Sequence, residues 1–132
     1  MKEVALLHEK IIKKISLYEN GAVADTMNNL GLKYEINYGL SKPQIDMVSD
    51  AIIKSNTLAF YLWQQKEREA KLISLRVIED YQLTKEQIEK YIAGINNVEL
   101  AEQAAMLVFS KLDTSMKLAH DLIGRKNFIK LS

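Results

Sequence analysis

Few residues in this 132-residue chain are arranged for chemistry, and its acids carry most of what there is. Glu99 and Glu102 stand three apart, a spacing that puts both carboxylates on one side of a helix. Glu99 suits the first turn of that helix, where negative charge complements the helix dipole. Glu102 is harder to account for in that way. Ala101, Ala104 and Ala105 around it predict a largely buried helix, in which a carboxylate is placed to face a cleft. His8 and His120 fall on different predicted helices without ligand spacing, so no metal site is expected. Cysteine is absent, which excludes thiolate chemistry and a disulfide framework and suits a cytoplasmic setting. The sequence holds no Gly-x-Ser-x-Gly elbow, Walker loop, dinucleotide fingerprint or His-Glu-x-x-His pair, and no cofactor is expected. Trp63, in the aromatic run Phe60-Tyr61-Leu62-Trp63, is expected to pack in a core rather than stack on a nucleobase.

Charge sets no strong prior for a polyanionic partner, because the net charge is only +1. The distribution is uneven, however. Between Lys111 and Ser132, five cations (Lys111, Lys117, Arg125, Lys126 and Lys130) face two acids, Asp113 and Asp121. That end either forms a small basic surface or carries ordinary solvated lysines near helix termini.

The elements that must position these residues read as helices. The chain is long enough for one domain over residues 1–132, and its single proline and five glycines favour helix. No apolar run approaches the roughly 20 residues needed to cross a bilayer. Val4, Leu7, Ile11, Ile15 and Tyr18 predict a helix over 3–19, and a shorter one follows to Leu30, closed by Gly31. Leu32, Tyr34, Ile36, Tyr38 and Leu40 then alternate with polar residues or glycine. With no second strand to pair with, this stretch is expected as an extended loop lying on the helices. Ser41-Lys42-Pro43-Gln44 and Thr84-Lys85-Glu86-Gln87 both have capping-box form. Ala70, Ile73, Val77 and Tyr81 predict one continuous stripe, and its width calls for cover from two sides, as in stacked helical pairs. Asn96-Asn97 offers a cap for the helix bearing Glu99. Further helices are expected over 101–112, from Asp113, and opening at Asn127. The rhythm of helix, short joint and helix recurs about every 30–45 residues per pair, and neighbours are expected to run antiparallel.

From Met27 to Gln103 the sequence resembles the AlkD-like DNA alkylation repair family, the HEAT-like-repeat DNA glycosylases. The likeness runs through Met27-Asn28-Asn29-Leu30-Gly31 and Tyr38-Gly39-Leu40-Ser41-Lys42-Pro43. It continues through Leu62-Trp63-Gln64, Glu67-Arg68-Glu69-Ala70 and Leu83-Thr84-Lys85-Glu86-Gln87. It ends at Asn97-Val98-Glu99-Leu100-Ala101-Glu102, aligned with a family box that usually reads N-W-D-L-V-D. The series, in this order and spacing, carries the resemblance rather than any single piece.

The resemblance implies an all-α fold of HEAT-like antiparallel helical pairs, part of a right-handed α-α superhelix with a basic concave face for duplex DNA. It implies excision of cationic N3- and N7-alkylated purines. Glu102 maps onto the family's catalytic aspartate, with Val98 and Glu99 in the same box. Lys66, Arg68, Lys71, Lys111 and Lys117 are the expected phosphate contacts. Two departures weigh against activity. The extra methylene of Glu102 moves its carboxylate by about an ångström, and Val98 replaces the aromatic that favours a cationic base. The family's second half, with a further Trp and Arg, would lie beyond Ser132. Either a longer parent protein holds that half, or this chain is a catalytically silent binding or scaffold module. An unfinished solenoid would expose an apolar end, capped by self-association or by a further domain.

Overall fold

The helix from Arg68 to Ser74 organises the first half of the molecule, and six of its seven residues are buried. The computed structural model describes residues 2–112. The helices expected from Asp113 and Asn127, together with Lys117 and His120, lie outside the described residues. The chain is all-α and compatible with a helical-repeat fold. It divides into two compact units, Met1–Glu79 and Asp80–Ser132.

In the first unit the helices are α1 (Lys2–Ser16), α2 (Gly21–Asn29), α3 (Lys42–Asp50), α4 (Asn56–Trp63) and α5 (Arg68–Ser74). α5 packs on α4, α3 and α1, so its apolar residues are covered from more than one side, as the wide stripe required. Val4, Ile11 and Ile15 of α1, Ile45 and Val48 of α3, and Leu58, Leu62 and Trp63 of α4 are buried. Each such side chain contributes about 1.5–3 kcal/mol on leaving water. Local chemistry sets the starts. The Asn20 side chain accepts the N–H of Val23, and that of Ser55 accepts the N–H of Leu58. Ser41 and Gln44 form a reciprocal capping box with Pro43 in the first turn, as their spacing predicts.

The segment between α2 and α3 is extended, with a single parallel bridge between Ile36 and Glu67. Its backbone is satisfied by a carboxylate rather than by a second strand. Glu69, fully buried, accepts the N–H of Tyr38 through Oε1 at 3.1 Å and that of Leu40 through Oε2 at 3.2 Å. The Arg68 N–H meets the Ile36 carbonyl at 2.9 Å. Of the alternating apolar side chains, Leu40 is buried, whereas Ile36 stays 37% exposed.

α5 stops at Ser74, short of the stripe predicted through Val77 and Tyr81. Neither glycine nor proline signals this end. Tertiary hydrogen bonds take over instead: the Val77 carbonyl accepts the Ser55 N–H at 2.8 Å, and Asn56 Oδ1 accepts the Glu79 N–H at 2.8 Å. Val77 and Ile78 remain fully buried off the helix.

The second unit holds α6 (Lys85–Ala93), α7 (Val98–Leu107) and a 3-10 turn over Phe109–Lys111. Thr84 and Gln87 form the expected capping box, and Asn97 caps α7 by accepting the Leu100 N–H at 2.9 Å. The helix expected over 101–112 therefore begins three residues earlier and tightens at its end. Ile88, Tyr91, Ile95, Leu100, Ala104, Val108 and Phe109 are buried in this unit.

Candidate functional site

The box residues sit on the first two turns of α7. Its buried arc runs through Leu100, Ala101 and Ala104. Val98, 47% exposed, and Glu102, exposed, lie one helical turn apart on the solvent side, and Met106 continues that line a turn later. Glu99 is 8% exposed. The two acids that spacing placed on one face therefore have different surroundings. Glu102 is also less enclosed than the alanines around it suggest, because the burial of Ala101 and Ala104 belongs to the other side of the helix and Ala105 is only half-buried. A carboxylate on this side, beside a short apolar side chain, is free to approach a large ligand.

The cations expected to contact phosphate have separate fates. Lys66 is exposed in the turn between α4 and α5. Arg68 is 2% exposed; its Nη1 donates to the Leu40 carbonyl at 3.0 Å and to Glu69 Oε2 at 2.9 Å. An interior guanidinium committed to a carboxylate and a carbonyl cannot also reach a phosphate, so its place in the charge-rich run 66–69 misled the surface assignment. Lys71 is half-buried. Its Nζ donates to the Trp63 carbonyl at 2.9 Å, capping the end of α4, and lies 5.7 Å from the Trp63 ring centre. Burial pushes the Lys71 ammonium below its ordinary 10.5, while the carboxylates of Glu35 and Glu67 oppose that shift. Trp63 itself is 5% exposed, a core residue as expected. In the second unit, Lys111 is exposed and rests against Tyr81, with Nζ 3.3 Å from the phenol oxygen and 4.9 Å from the ring centre. Lys117 lies outside the described residues.

Two pairings were invisible to spacing. His8 Nε2 lies 3.0 Å from Glu67 Oε1, and the imidazole meets the Tyr61 ring edge-on at 5.8 Å. Its partner is 59 residues away along the chain, and no local pattern announces that meeting. Tyr81 and Lys111, 30 apart, are the second case. Among the described residues, no group of three or more His, Cys, Asp or Glu could hold a metal ion. No helix among them is long and apolar enough to cross a membrane.

Comparison with curated proteins and with solved structures gives no match. A family model does match: that of the DNA alkylation repair enzymes, over residues 11–129. With nearly the whole sequence covered, the chain belongs to the DNA alkylation repair family.

Proposed function

We propose that this chain binds duplex DNA bearing cationic N3- or N7-alkylated purines on the concave face of a HEAT-like helical superhelix, in the cytoplasm. Glu102 is the residue assigned to the glycosidic bond. Alkylation leaves positive charge on the base, so the C1′–N bond breaks with its electron pair returning to the ring. The sugar then develops the positive charge, which a nearby carboxylate stabilises until water adds at C1′. The observation that carries this reading is the shared exposure of Val98 and Glu102 on α7, one turn apart at the matching positions of the box. Lys66 and Lys111, both exposed, and Lys117 supply phosphate contacts. Arg68 and Lys71 serve the fold instead.

A second reading, a binding module without catalysis, is favoured by one feature. Val98 stands where the family box carries an aromatic, so no π face adjoins Glu102 from that position. Release of N7-methylguanine from a methylated duplex separates the two. Catalysis predicts release that Glu102→Gln abolishes with the fold intact, whereas salt-dependent binding without release supports the silent module. Release that is unaltered in Glu102→Gln removes Glu102 from the site.

A further inference from the structure

Tyr81 and Lys111 are held together in a way that the roles assigned so far do not use. Lys111 Nζ donates to the Tyr81 hydroxyl oxygen at 3.3 Å while lying 4.9 Å from the ring centre. An ammonium has three donors and no acceptor, so the direction of this bond is settled by chemistry. Among the described residues it leaves two ammonium donors unspent. Because the hydroxyl oxygen accepts, its own hydrogen is not used on Lys111 and is a third donor. Lys111 is exposed, and among the described residues it makes no ion pair. The neighbouring acid, Asp80, turns its Oδ1 to the N–H of Gln82 at 2.9 Å.

We propose that Tyr81 and Lys111 form a two-residue clamp for a single phosphodiester of the duplex, the ammonium and the phenol each donating to a non-bridging oxygen. This rests on the duplex-binding reading and adds to it a residue, Tyr81, that is neutral and so escapes any search for basic patches. The ring holds the lysine in place before the phosphate arrives, which lowers the entropy lost on binding. Lysine and tyrosine are both ordinary phosphate donors.

The test is titration of the full chain with a short unmodified duplex at several salt concentrations. Lys111→Gln removes one charge and should reduce the log–log salt slope by about 1. Tyr81→Phe keeps the ring and the lysine but removes the hydroxyl. It should weaken binding roughly ten- to a hundredfold, the range for a hydrogen bond to a charged group, with the slope unchanged. The double variant should lose less than the product of the two single losses, because both residues grip one phosphate. Wild-type binding that Tyr81→Phe leaves intact, or losses that simply multiply, would overturn the clamp alone. Failure of the wild-type chain to bind at low salt overturns the duplex reading and the clamp with it.

Discussion

Arg68 and Glu69, adjacent in sequence, pair at 2.9 Å with side chains only 2% and 0% exposed. Around them the Glu69 carboxylate also accepts the N–H groups of Tyr38 and Leu40, so one buried acid fastens the extended segment to α5. Breaking a buried pair by removing one partner costs about 3–5 kcal/mol, because the other charge is left uncompensated. Glu69→Gln should therefore lower unfolding stability by roughly that amount in urea titration. Its amide would also turn a donor toward a main-chain N–H. Loss below about 1 kcal/mol would show that the pair is not what holds the segment.

Gly39 and Gly31 both have positive φ, 73° and 93°, but their surroundings differ. A Cβ at Gly39 would stand 2.1 Å from the Asn20 carbonyl oxygen, whereas one at Gly31 would meet nothing within 4 Å. Gly31→Ala should cost the backbone penalty alone, about 1–2 kcal/mol. Gly39→Ala should cost clearly more, since the start of α2 must move as well. Thermal unfolding of the two variants side by side checks the ordering, and equal losses would refute it.

Tyr38 links this segment to pH. Burial raises its phenol above the ordinary 10.0, and the negative charges of Glu67, Glu19 and Glu69 add to the shift. The folded chain thus holds the proton more tightly than the unfolded chain. That contribution is fully present below pH 10.0 and is lost as pH rises through the higher folded value. Denaturant titrations on either side of pH 10.0 should show stability falling with pH, and Tyr38→Phe should flatten the fall. An equally steep fall in the variant would assign it to other groups.

Val98 invites the opposite kind of change. At 47% exposure it can be enlarged without disturbing the core. Val98→Trp should raise the preference for a methylated over an unmodified duplex about two- to fivefold, the range for an exposed cation–π contact. Competition between the two duplexes measures this, and an unchanged ratio would mean that this face of α7 does not meet the damaged base.

The local grammar of the chain was legible. Ser41 with Gln44, Thr84 with Gln87, and Asn97 each begin a helix where their side chains can satisfy unpaired N–H groups. The alternation from Leu32 to Leu40 reads as an extended segment, and the segment is extended, but neither its one bridge, Ile36 to Glu67, nor Glu69 as its hydrogen-bond partner is foreseeable, because those contacts span some thirty residues. The end of α5 carries no local signal for the same reason, since distant Ser55 and Asn56 bind the chain that leaves it. At the candidate site, the box was readable as letters, whereas the separation of Glu99 from Glu102 depends on packing. Arg68 shows the limit most clearly: in a run of charged residues it looks solvated, yet the fold encloses it.

If this chain grips duplex DNA through its phosphates, as proposed, its binding must depend on salt. Its association constant should fall linearly on log–log axes, with a slope of about −0.9 for each phosphate contacted. Binding that is absent at low salt, or that does not change with salt, would contradict the proposal.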